Sequence, residues 1–355
     1  MRWRWWVVVA VLLVPGRWAR ADDVWREESQ KTVEVRGFAT VEIDNARGRV
    51  DLVPSPDGRL HITALKIVRS GRQEQARDLA RRIVVEAGMR GDRYRVEVRY
   101  QPRHIRIGLG DLFSFDSHKF PRYEVRVTAE VPAGLATVVR ESSGDIHSEG
   151  VRGPQVLRST SGDVEVLSAG DRVEVSTSSG DVSADGLRAA RVSSTSGDLV
   201  LEQAAGPLVA TTSSGDITVR SAGDSLSLSS VSGDIKADRA PRGLRAETSS
   251  GDVVARAVSG SVRVGTASGE VALGLREPVT GVEVGTSSGE VRLDLEPRVR
   301  CMLDLRTSSG SLRVALPMEM SRVSRQSLTG TIRGGKTAVN LHTVSGDITV
   351  SGGGD

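Results

Sequence analysis

Beyond Tyr123 the chain contains no phenylalanine, tyrosine or tryptophan. A groove that processes sugar chains ordinarily uses aromatic faces as apolar platforms, so their absence weighs against one in the C-terminal two thirds. Cysteine is nearly missing too. Cys301 is the only one, which excludes an intramolecular disulfide and a cysteine metal cluster. His61, His104, His118, His147 and His342 show no close pairing suited to zinc. No phosphate loop or dinucleotide fingerprint occurs. Gly285-Thr286-Ser287-Ser288-Gly289 matches a nucleophile elbow in letters only, because it is one copy of a repeat and not a strand-to-helix turn. The sequence therefore predicts no enzyme, no cofactor and no metal.

Long apolar runs are also scarce. Residues 1–21, MRWRWWVVVAVLLVPGRWARA, hold one from Trp5 to Val14, about half the roughly 20 residues that span a bilayer. A basic start, a Pro-Gly break and Ala19-Arg20-Ala21 together read as a signal peptide. The expectation is an exported protein of the periplasm, cell surface or medium. The formal charge of +3 follows from this segment, which holds four arginines and no acid; without it 44 basic face 45 acidic residues. Such a balance gives no support for nucleic-acid binding.

What the sequence does have is a repeat. A Ser-Gly-Asp kernel followed by an aliphatic residue returns down the chain, with glycines at 144, 162, 180, 197, 215, 233, 251, 269, 289, 310, 330 and 346. Their spacing is nearly constant over most of the series, and weaker glycines near mid-repeat divide each unit into two halves. Aliphatic residues alternate on both sides of the kernel, as in Leu199/Leu201, Ile217/Val219, Leu226/Leu228 and Val262/Val264. Period-two apolar residues bounded by Gly and Ser are half-buried strands. Thr or Ser stands three residues before almost every kernel glycine. One half cannot bury its own face, but stacked coils can, with each strand parallel to its counterpart one turn away. The predicted fold is an all-β, right-handed parallel β-solenoid of about 18-residue coils. A dozen coils would be roughly 55–60 Å long.

In this reading the glycines supply positive φ at the corners, and the flanking Ser and Asp bond local amides. Asp145, Asp163, Asp181, Asp198, Asp216, Asp234 and Asp252 then form a row, continued by Glu270 and Glu290. The row serves as turn chemistry or, alternatively, faces a cation. The Gly-Gly-x-Gly-x-Asp nonapeptide of calcium β-rolls is absent.

Residues 22–135 differ. The stretch 39–54 resembles one degenerate coil around Gly48, and a helix is expected near 72–84. Strict alternation returns at 93–100 and 122–132. The segment reads as a β-rich cap on the repeats of 136–355 that blocks end-to-end pairing. Between its last strands, the loop 101–121 holds His104, Asp111, Phe113, Phe115, Asp116, His118 and Phe120. These could form a binding patch, or the phenylalanines could simply pack on the cap.

The kernel, the helix-bearing segment before it and the Val131-Pro132-Ala133-Gly134 entry resemble a bacterial adhesin-like family of β-strand-repeat proteins, domain of unknown function 4097. The likeness runs from about Val33 to the end. It implies an exported, non-catalytic β-solenoid and supplies no catalytic residue. The expected partner is an envelope or surface macromolecule, protein or polysaccharide. Two rivals are a carbohydrate-active enzyme using acids on the coil flank or in the 101–121 loop, and a scaffold that self-associates through a free C-terminal strand edge.

Overall fold

The computed structural model describes residues 24–70, 73–101 and 122–352. The leader at 1–21 and nearly all of the loop at 101–121, with its histidines, aspartates and phenylalanines, lie outside them. The described residues hold 28 strands and one helix, so the protein is all-β and β-solenoid-like. No helix among them is long and apolar enough to cross a membrane. The chain divides into two compact units, 1–170 and 171–355.

In the first unit Thr40–Asn45 and Gly48–Pro54 form a coil with its corner at Gly48. It pairs in parallel with Ala136–Glu149, Val41 opposite Thr137 and Gly48 opposite Gly144. Ala136–Glu149 then pairs in parallel with Gln155–Ser161 and Val164–Leu167, one repeat further along the chain. On its other side the 40–54 coil pairs in parallel with Arg93–Tyr100 and Arg122–Val131. A later stretch of chain thus stacks ahead of an earlier one. Antiparallel strands close this end: Ile83–Arg90 on Arg93–Tyr100, Leu60–Arg69 on Arg122–Val131, and Val24–Val33 on Leu60–Arg69.

The helix is Gln73–Arg82, with Ala76 and Ala80 buried, Glu74 in its first turn and Arg81 and Arg82 in its last. Those charges complement the helix dipole. Ile83-Val84-Val85 follow directly, and their branched side chains favour the strand that begins there.

In the second unit the coils run in sequence at first. Leu199 faces Ile217, Ile217 faces Ile235 and Ile235 faces Val253, each step one full repeat. The other half-coils keep the same register through Leu208, Leu226 and Leu244. All these side chains are at most 3% exposed, so the interior is a set of aliphatic ladders.

The order then changes. Thr337–Ser345 lies between the 282–288 segment and Cys301–Ser309, parallel to both. Ile348–Gly352 lies likewise between Val291–Leu295 and Leu312–Val314. The last coil in sequence is therefore inserted between two earlier ones. This corrects two expectations. Strictly consecutive stacking fails here, and the C-terminal strand offers no free edge through Ile348–Val350, because both sides of those residues are paired. Gly330 is no corner either. It sits in Ser327–Ile332, antiparallel to Cys301–Ser309 on one side and to Glu319–Val323 on the other. Its neighbours Thr329 and Thr331 lack the Ser and Asp that mark a true kernel.

Candidate functional site

The kernel joins one coil to the next. In the second unit the backbone N–H of Asp198 donates to Asp181 Oδ1 at 2.9 Å, that of Asp216 to Asp198 at 2.9 Å, that of Asp234 to Asp216 at 2.8 Å and that of Asp252 to Asp234 at 2.9 Å. Glu270 N–H continues the series onto Asp252 at 2.8 Å. In the first unit Asp163 N–H donates to Asp145 Oδ1 at 3.1 Å. Each of these acceptors is a carboxylate oxygen held by the following coil, a charge-assisted bond to an amide. Beyond the row, Arg292 bridges Glu270, at 2.7 Å, and Glu290. The bond to Glu270 first of all raises the Arg292 pKa above its ordinary value.

Several of the hydroxyls three residues before the glycines do the matching work inside, although those of Thr177 and Ser194 find no partner among the described residues. Thr212 Oγ1 donates to the Gly197 carbonyl at 3.3 Å, Ser230 to Gly215 at 3.2 Å, Thr248 to Gly233 at 3.1 Å and Thr266 to Gly251 at 3.2 Å. The glycines stack at the same level. A Cβ at Gly215 would meet the Gly197 oxygen at 2.1 Å, and one at Gly233 the Gly215 oxygen at 1.9 Å. Gly144, Gly162, Gly197, Gly215, Gly233, Gly251, Gly269, Gly289 and Gly310 have no positive φ. Positive φ is therefore not why these corners take glycine; close approach of consecutive backbones is.

The row meets no metal requirement in this arrangement: among the described residues no group of three or more His, Cys, Asp or Glu could hold an ion. Burial pushes the Cys301 thiol up to about 11, so it is not a thiolate near neutrality. His147 Nδ1 lies 2.9 Å from Glu165 Oε2, a hydrogen-bonding contact between successive coils.

One constellation escaped sequence reading. His61 Nδ1 lies 3.0 Å from Thr32 Oγ1, and its Nε2 lies 2.8 Å from Asp57 Oδ1. These are distances of a nucleophile, base and orienting acid. Asp57 also accepts from Ser55 and Arg59 N–H, and the His61 bond first of all lowers its pKa to about 2. Thr32 and His61 are cross-strand neighbours, and none of the three lines either cleft described below.

Two clefts stand among the described residues of the first unit. One of about 240 Å³ is lined by Glu86–Arg90, Arg95 and Glu97. Arg95 there is held by Asp44 at 2.7 Å, and Glu97 by Arg99 at 2.5 Å. The other, about 200 Å³, is lined by Arg47, Gly48, Ile67, Arg69, Tyr123, Glu124 and Ser143. Sequence reading missed it because Arg47 and Tyr123 meet only through the out-of-order coil.

The coil register and its kernel agree with a family match covering residues 124–255 and 239–351: the chain belongs to the Toastrack family, domain of unknown function 4097. No curated protein matches it. Solved structures similar to it include a candidate cell adhesion protein from Clostridium sporogenes, 10% identical, covering 92% of this chain and 100% of that one at TM-score 0.22. A candidate adhesin from Parabacteroides distasonis is 11% identical, with coverage of 92% and 97% and TM-score 0.34. A candidate lipid-binding protein from the same organism is 10% identical, with coverage of 92% and 97% and TM-score 0.25. At these values the likeness carries no functional weight.

Proposed function

We propose that the chain is an exported, adhesin-like structural and interaction protein of the bacterial cell envelope, acting without catalysis. In this reading its coils are right-handed, each formed by one turn of the repeat. The supporting observation is the use of the kernel: its aspartates, hydroxyls and glycines hold neighbouring coils together. The outward positions form continuous rows instead, as in Ser227, Arg245, Arg263 and Glu283. A patterned polar face suits recognition of a macromolecule better than chemistry on a small one.

Cosedimentation of the purified protein with isolated envelope fractions tests this. Saturable, salt-sensitive binding to one fraction is expected; no binding to any fraction, or turnover of a glycan panel, would overturn it.

A further inference from the structure

Arg47 precedes the Gly48 corner and points its guanidinium at Tyr123, 5.8 Å from the ring centroid. That ring stacks on Tyr100, with centroids 4.9 Å apart and planes 17° apart. A guanidinium held near an aromatic face by cation–π attraction keeps its N–H donors free for an anion. Arg69, the last residue of Leu60–Arg69, lines the same cleft. Neither arginine has a carboxylate partner among the described residues. Elsewhere in the unit Arg49, Arg93, Arg95, Arg99, Arg126 and Arg140 each have one. Arg47 and Arg69, both without such a partner, thus share one concave space.

The rest of the lining narrows the ligand. Glu124 receives Arg126 on Oε1 alone, which leaves Oε2 as an acceptor, and the exposed Ser143 supplies a hydroxyl. A bare oxyanion would satisfy the arginines and be repelled by Glu124. A ligand carrying both a carboxylate and hydroxyl donors satisfies all four groups. About 200 Å³ is below the roughly 300–1,000 Å³ of drug-sized pockets, so one ring-sized unit fits.

We propose that this cleft binds a carboxylated sugar unit, the carboxylate between Arg47 and Arg69 and the ring hydroxyls toward Glu124 and Ser143. The inference rests on the interaction-protein reading and gives it a ligand class. The test is calorimetric titration of the full chain with D-galacturonate, D-galactose and inorganic phosphate. Saturable galacturonate binding that weakens with salt is expected, with galactose and phosphate at least about tenfold weaker. Arg47→Ala and Arg69→Ala should each lower affinity about tenfold or more, the scale of one charge-assisted bond. Both side chains are exposed, so unchanged melting should accompany the loss. Arg47→Lys should fail to restore binding, because an ammonium lacks the forked pair of N–H donors that meets a carboxylate. Galacturonate binding indifferent to both alanine variants would overturn the proposal, as would equal binding of galactose, tighter binding of phosphate, or no saturable binding at all. Envelope cosedimentation is read in parallel. If the wild type binds envelope but not galacturonate, the cleft assignment falls while the interaction reading stands.

Discussion

A methyl group added at Gly233 would stand 1.9 Å from the Gly215 carbonyl oxygen, whereas one added at Gly285 meets nothing within 4 Å. Gly233→Ala should therefore destabilise the fold by about 3 kcal/mol or more in urea unfolding, since backbone cannot yield as a side chain can. Gly285→Ala should stay within about 0.5 kcal/mol. Asp234→Ala should cost about 1 kcal/mol by removing the acceptor of the Asp252 amide, and Asp234→Asn much less, because an amide oxygen still accepts. Glu141 breaks the hydroxyl pattern three residues before Gly144, where it is 3% exposed and paired in register with Asn45. Burial pushes its carboxyl up to about 8, against a weaker pull from the Asn45 side chain and the Ser143 amide. Asn45 gives its Nδ2 to the Val125 carbonyl, and no well-aligned donor reaches either Glu141 oxygen. A proton on Glu141 removes the cost of a buried, poorly partnered charge. The folded pKa lies above the unfolded one, so the folded state retains a proton that the unfolded state has lost between about pH 4.5 and 8. Stability should fall as pH rises through that window, by up to about 1.4 kcal/mol per unit, and level off above it. Glu141→Gln should gain on the wild type steadily from pH 5 to pH 8 in paired urea titrations; a constant difference would contradict this.

At the scale of the element, the inserted C-terminal coil is the feature that decides local stability. Thr337–Ser345 is paired on both sides, whereas Glu319–Val323 is exposed along its whole length and pairs only with Ser327–Ile332 among the described residues. Hydrogen exchange should find the amides of Val339 and Leu341 protected by orders of magnitude more than those of Met320 and Arg322. Equal protection would contradict the insertion. Strands and their inward faces were legible in the sequence, because alternation around the kernel, as at Leu199/Leu201 and Ile217/Val219, states directly which side chains are buried. Parallel register was legible from the constant spacing. The order of the coils was not. Val339 and Leu341 present the same aliphatic pair to a neighbour as Leu303 and Leu305 do, so either could follow Val282 and Val284. Between the two the chain makes the antiparallel hairpin 319–332, whose strands carry no kernel. The same blindness hid the cleft, since nothing in the spacing announces that 93–131 stacks ahead of 40–54.

For the molecule as a whole, the question is whether the row of acids is a ligand site or a fastening between coils. Each carboxylate from Asp181 to Asp252 accepts the backbone N–H one coil on, and side chains a coil apart repel one another unless solvent and nearby arginines screen them. The sequence predicts that these aspartates bond local amides; each instead accepts an amide one coil on, and so links coils. On the proposed reading, envelope binding would belong to the outward rows and to the first-unit cleft. The most direct measurement is envelope cosedimentation of a variant carrying Asp198→Asn, Asp216→Asn and Asp234→Asn, with melting recorded with and without calcium. The account predicts binding within about twofold of wild type, since none of the three is asked to bind a ligand, and melting indifferent to calcium in both proteins. A folded triple variant that no longer binds, or a calcium-dependent rise in melting seen only in the wild type, would contradict it.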